Sequence, residues 1–232
     1  MNDSRTPTER RATARVGTAD GIATVLARIW PDAPDASVIL GVDHERETRD
    51  RIRAALINSG YEWPDGTVNV QVTRDDHRPY GTLSDLAIAC AILAAAGHIH
   101  EGALDRIAVT GELDLAGWLR APEGILASVN AAAADGLTTV IVPDATTASE
   151  QLHQAPVDPT ATVHTATCLP EAVRLLNTLP QQGRPGEDAG TCAQCDRTLV
   201  WDRTGKGVND EWGEYLCYSP RRPGKAVHVL SQ

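Results

Sequence analysis

The stretch that most limits what this chain can fold into is Thr110 to Pro143, TGELDLAGWLRAPEGILASVNAAAADGLTTVIVP, which reads as strand, glycine turn, helix, glycine stop and strand. Ile107, Val109, Leu113 and Leu115 keep a period of two around Gly111, the spacing of a strand with one buried face. Gly117 breaks the run, and Pro122, Glu123 and Gly124 open a helix. Ile125, Val129 and Ala132 fall on one helical face, Gly136 supplies a positive-φ stop, and the apolar run Thr139 to Val142 follows as a buried strand. The unit specifies α/β packing and holds no chemistry of its own.

The rest of the chain up to residue 179 extends this pattern. Residues 23–29 and 37–41 are expected strands on either side of a proline turn at Pro31 to Pro34. Asp43 or His44 leads into a helix over 45–59, with Ile52, Ala55, Leu56 and Ser59 as its buried stripe and Gly60 as its stop. Residues 67–73 alternate Val68, Val70 and Val72 inward as a half-exposed strand. After a polar loop over 75–81 comes an almost wholly apolar helix, 84–96, which belongs in the centre of the core, with Ser84 or Asp85 placed to cap its first turn. Short helices at 149–153 and 170–179 flank an edge strand near 162–164, and Leu169, Val173 and Leu176 form a stripe that can dock on the sheet.

Three ordered blocks carry a resemblance: RDRIRAALINSGYEWP at 49–64, GTLSDLAIACAILAAAG at 81–97, and TGEL with the following P-x-G-I turn and DG-x-x-x-VIVP strand. Together they closely resemble the Lon-protease-like domain shared by Lon, the RadA recombination ATPase and the magnesium-chelatase-subunit-I-like (ComM-type) ATPases, the last group being nearest. The resemblance covers roughly residues 14–179. It implies an α/β (α+β) fold of the Lon-protease-like, ribosomal-protein-S5-domain-2-like type, a mixed sheet with packed helices.

The resemblance also says where catalysis would sit. Lon resembles a serine protease with a Ser–Lys dyad, and the matching blocks place Leu83 at the serine position and Leu126 at the lysine position. Neither leucine can act as nucleophile or base. The only lysines of the chain are Lys206 and Lys225, beyond the domain, so no amine is at hand to activate Ser84 or Thr82. Of the histidines, His77 lies in the loop before the apolar helix, and His98 and His100 follow its far end, about 18 Å from Ser84 at 1.5 Å per residue. A divergent peptidase using Ser84 or Thr82 is therefore the rival expectation, and Ser84 as a helix cap the first. The chelatase-like relatives carry an AAA+ module with a G-x-x-x-x-G-K-[ST] phosphate loop; these 232 residues hold no such motif, and no ATP binding is expected.

Beyond 179 the composition changes. Residues 180–190 read as a Pro/Gly-rich linker, and 191–232 as a small hairpin unit that resembles a zinc ribbon with a degenerate second knuckle. Cys192, Cys195 and Cys217 supply three thiolates and His228 a fourth ligand, a set that satisfies tetrahedral zinc. The alternatives are reduced thiols in a tail or a C-x-x-C redox pair, although the motif follows a linker and not a strand-to-helix junction. Cys90 and Cys168 are expected as small buried hydrophobes.

Charge and patterning bound the partners. A net charge of −10 argues against a general nucleic-acid footprint. The arginines at 46, 49, 51 and 53 interleave with Glu45, Glu47 and Asp50 as a solvated helix face. Residues 1–13 are expected as a disordered tail; no signal peptide or membrane span is evident, and a cytoplasmic location is expected. The reading that follows is a non-catalytic assembly or binding module, self-associating, as in a ring, or acting with an AAA+ ATPase or nucleic acid in trans. Trp118, at the tip of the TGELDLAGWLRAP turn, is its candidate contact residue. A nucleic-acid-binding role for the zinc hairpin, drawing on Arg197, Arg203, Arg221 and Arg222, is the third expectation.

Overall fold

The computed structural model describes residues 9–73, 81–100, 102–154 and 156–179, and five strand segments between 188 and 227. The chain divides into two compact units, 1–179 and 180–232.

In the first unit the elements run β1 (Arg10–Thr18), β2 (Gly21–Trp30), β3 (Val38–Leu40), α1 (Glu45–Asn58), β4 (Thr67–Thr73), α2 (Asp85–Ala95) and β5 (Ile107–Val109). They continue with β6 (Glu112–Leu113), β7 (Leu119–Arg120), α3 (Ile125–Ala134), β8 (Thr139–Pro143), α4 (Thr146–Gln154), β9 (Thr162–Ala166) and α5 (Leu169–Thr178). Seven strands form one mixed sheet in the order β3-β4-β2-β1-β5-β8-β9, while β6 and β7 make a separate small hairpin. Strands β4, β2 and β1 are antiparallel neighbours, and β1, β5, β8 and β9 are parallel.

The two halves bury their strands differently. On the parallel side Ile107, Val109 and Ile141 enter the core beneath α1, α2 and α5, and Ala108, Val140 and Val142 enter a second cluster beneath α3 and α4. Both faces are covered, which is why these strands read as unbroken apolar runs. On the antiparallel side Val68, Val70 and Val72 point to the core while their neighbours do not. Helix α2 is buried at all but one of its eleven residues and is the centre of the core. Cys90 lies fully inside it, and burial pushes its thiol up to about 12, so it behaves as a small hydrophobe.

Several expectations are corrected. The sheet begins at Arg10, so residues 10–13 belong to a paired strand and not to a tail; Ala12, Ala14 and Val16 point inward between arginines and threonines that had disguised the alternation. Ser84 does not cap α2. The chain enters that helix through a 3-10 turn, Thr82–Ser84, which leaves Ser84 helical, and its hydroxyl donates to the Gly81 carbonyl at 3.2 Å. The run toward Leu115 does not continue as a strand: Leu115 is 61% exposed. Asp114 turns the chain there, its side chain accepting the N–H groups of Ala116 and Trp118. Ser59 lies one residue beyond α1, and Cys168 is half-buried. The loop over 75–81, with His77, lies outside the described residues except for Gly81. Among the described residues no helix is long and apolar enough to cross a membrane.

In the second unit β10 (Asp188–Thr191), β11 (Thr198–Trp201) and β12 (Val208–Asp210) form an antiparallel sheet, and β13 (Leu216–Tyr218) pairs with β14 (Lys225–Val227). The segment read as a linker therefore ends in a strand. The return arm opposite Thr198 to Trp201 is Val208 to Asp210, and Cys217 lies in a different ladder, opposite Ala226.

Candidate functional site

The three sequence blocks meet at the N-terminal end of α2. The 110–113 segment closes that helix end with its own backbone: Leu86 donates to the Gly111 carbonyl and Gly111 donates to the Leu83 carbonyl, both at 3.0 Å. Asp85, fully buried, accepts from Arg51 Nε at 2.9 Å, from Arg51 Nη2 at 3.1 Å and from the Leu113 N–H at 3.3 Å. Beside them Thr82 Oγ1 donates to Glu112 Oε2 at 2.9 Å. One carboxylate thus ties α1, α2 and β6 together.

Electrostatics at this junction follow from burial. Desolvation pushes the Asp85 carboxyl up to about 6, and the negative charge of Glu112 adds to the rise. The hydrogen bonds and charge of Arg51 and the Leu113 N–H pull the other way. Arg51 is raised in turn, chiefly by its hydrogen bond to Asp85. Asp85 had been expected as a cap and Arg51 as part of a solvated face. The signal that could have found the pair is a carboxylate opening an otherwise wholly apolar helix, since a charge so placed is buried and needs a partner.

The two positions that the resemblance would assign to a dyad are leucines. Leu83 and Leu126 are both half-buried. Ser84 is fully buried and its hydroxyl is engaged by Gly81. His98 and His100 are held at the opposite end of α2, where the Asn177 amide donates to the His98 carbonyl and accepts from the His100 N–H.

Trp118 sits on a rigid corner. Asp114 Oδ1 accepts its N–H at 2.9 Å and its carbonyl accepts the Asp114 N–H, while Arg120 pairs with Asp114 Oδ2 at 2.9 Å. Against its desolvation, these hydrogen bonds and the Arg120 charge hold the Asp114 carboxyl below its ordinary value. The corner is pinned to two neighbours. Leu169 donates to the Gly117 carbonyl, and Asn58 Nδ2 donates to the Leu115 carbonyl at 2.7 Å. Gly117, at φ 85°, packs so closely on the end of α1 that a Cβ there would lie 2.0 Å from Ser59 Oγ. The Trp118 ring is nonetheless 53% exposed, and Leu115 and Ile57 on the two adjoining segments are exposed as well. Trp118 also lines a cleft of about 500 Å³ with Arg120, Asp144, Thr147 and Thr167.

Of the proposed zinc ligands, Cys192, Cys195 and His228 lie outside the described residues, and Cys217 is placed only as a position in β13. The structure does not bring the four together or hold them apart.

Comparison with known proteins bears on the same segment. Residues 34–146, from the loop before β3 to the first residue of α4, match the family described as subunit ChlI of Mg-chelatase. The likeness to that family covers just under half of the chain. The chain is 37% identical over 99 residues to the uncharacterized protein YifB of Escherichia coli, covering 43% of this chain and 20% of that protein. It is 34% identical over 110 residues to an uncharacterized protein of Mycobacterium tuberculosis, covering 47% and 20%. To the competence protein ComM of Haemophilus influenzae it is 33% identical over 87 residues, covering 38% and 17%. The match therefore spans about a fifth of the length of these relatives. Both the Arg51–Asp85 junction and the Trp118 corner fall inside the ChlI-like segment.

Proposed function

We propose that this chain is a non-catalytic assembly or binding module, built on a Lon-protease-like domain of the chelatase and competence ATPase type, that self-associates through the Trp118 corner and serves an ATPase or nucleic acid in trans. The observation that carries the reading is the pairing of leucines at the positions the resemblance gives to a dyad with an exposed, hydrogen-bonded corner. Leucines occupy both dyad positions and Ser84 is fully buried, while Trp118 stands 53% exposed on a turn pinned from two sides. Such an aromatic anchor supplies large apolar area with little ordering cost on association. No phosphate loop lies within these residues, so nucleotide chemistry is not assigned to them. The 191–232 unit binds one zinc through Cys192, Cys195, Cys217 and His228, which stabilises a segment with few apolar residues of its own.

The rival peptidase reading draws on one contact, the hydrogen bond from Thr82 Oγ1 to Glu112. No lysine precedes residue 206, so no amine stands behind that pair. A fluorophosphonate probe separates the two readings. No label on Ser84 or Thr82, with wild-type chain recovered as an oligomer, is the expected result; stoichiometric labelling of either hydroxyl overturns the proposal.

A further inference from the structure

We infer that the open face of the β3-β4-β2-β1 half of the sheet binds single-stranded nucleic acid. The inference rests on the nucleic-acid part of that reading and does not depend on association through Trp118.

Strands β1 to β4 contain Arg10, Arg11, Arg15 and Arg28 and not one Asp or Glu, in a chain whose 31 acidic residues outnumber its 21 basic ones. Strand register sorts these side chains. Ala14, Val25, Ala27 and Val70 point to the core, so their neighbours Arg11, Arg15, Arg28 and Asn69 share the opposite face. Arg11 lies directly across from Arg28, and Arg28 across from Asn69; the next row sets Thr13 against Leu26 and Leu26 against Gln71. Trp30 continues the β2 column on this face. None of these residues is buried. Helix α3 covers the sheet only from the far end of β1, where Gly17 packs on Ser128.

Two like charges directly opposite on neighbouring strands destabilise a sheet. Arg28 gains partial relief from Glu9 at 3.5 Å, but Arg11 and Arg15 have no ion pair among the described residues. Among the described residues this opposition of charge is only partly offset, and an anion laid across the rows would offset it further. The arginines supply phosphate contacts, Asn69 and Gln71 supply amide donors and acceptors for base edges, and half-exposed Leu26 and Trp30 offer flat apolar surface for base faces. A duplex hides its base faces, so the partner that fits is a single strand. The overall charge of −10 confines the attraction to this face and makes it sensitive to salt.

The test is fluorescence anisotropy of a labelled oligothymidylate and a labelled oligouridylate with the full chain at low salt. Binding is expected to be saturable, with a log–log salt slope of about −2 for roughly three phosphate contacts. Arg11→Ala with Arg15→Ala should weaken it at least about ten-fold and flatten the slope by about 1.4. Trp30→Ala should weaken it on the order of ten-fold without changing the slope. Arg174→Ala, the loss of one charge on α5, should bind as wild type. If Trp30→Ala loses its circular dichroism spectrum, the Arg11/Arg15 variant decides alone. No saturable binding, binding unchanged in the Arg11/Arg15 variant, or equally tight binding of polyglutamate or duplex would each overturn the inference.

Discussion

Arg51 and Asp85 make the interior of the ChlI-like domain sensitive to both substitution and pH. The Asp85 side chain is 1% exposed and Arg51 is 21% exposed, so removing the arginine leaves a nearly dry carboxylate with only the Leu113 N–H. Arg51→Met should destabilise the domain by about 3–5 kcal/mol in urea unfolding, far more than loss of an exposed ion pair such as Arg49–Asp50. The pH dependence has a definite sign. Burial raises Asp85 from 3.8 to about 6, so the folded chain holds an extra proton between those values. Stability from this group is full below about pH 4 and is lost as the pH rises through 6. The stability of wild type relative to Asp85→Asn should therefore fall between pH 4 and 6 and level off above. A difference that grows across this window would contradict the assignment. Neither residue's role was legible in the chain order, because the pair joins positions 34 residues apart and each had a plausible local explanation.

At the level of elements, the tightest joint is between β1 and α3. A Cβ on Gly17 would lie 1.9 Å from the Ser128 carbonyl oxygen, which is backbone and cannot swing away. Gly17→Ala should cost on the order of 2–3 kcal/mol by pushing α3 off the sheet, with a matching drop in the thermal midpoint. The sequence disclosed the elements whose burial is uniform or strictly periodic: α2 as a continuous apolar run, α3 through Ile125, Val129 and Ala132, α5 through Leu169, Val173 and Leu176, and β4 through its valines. It misled where side chains answer to something non-local. Strand β1 looked like a polar tail because only its partner β2 reveals which of its residues face inward. Leu115 looked like strand because the turn opens at the side chain of Asp114, ahead of Gly117, whose N–H closes it onto the Asp114 carbonyl. That no lysine precedes residue 206 is legible without any structure. The capping role of Ser84 failed because the helix end is closed by Gly111 from 25 residues away along the chain.

For the molecule as a whole, two claims concern stoichiometry. The 191–232 unit should carry close to one zinc per chain in elemental analysis of protein purified without added metal, and Cys195→Ser should lose it. A folded, metal-free 191–232 unit would refute that assignment. The larger claim is that the ChlI-like domain works through its surface, and sedimentation velocity across a range of protein concentrations tests it most directly. Wild type should sediment above the 24.8 kDa monomer mass in a concentration-dependent way, and Trp118→Ala should return it to monomer with an unchanged circular dichroism spectrum. A wild type that remains a 24.8 kDa monomer at every concentration, or a Trp118→Ala variant that associates as before, would contradict the account.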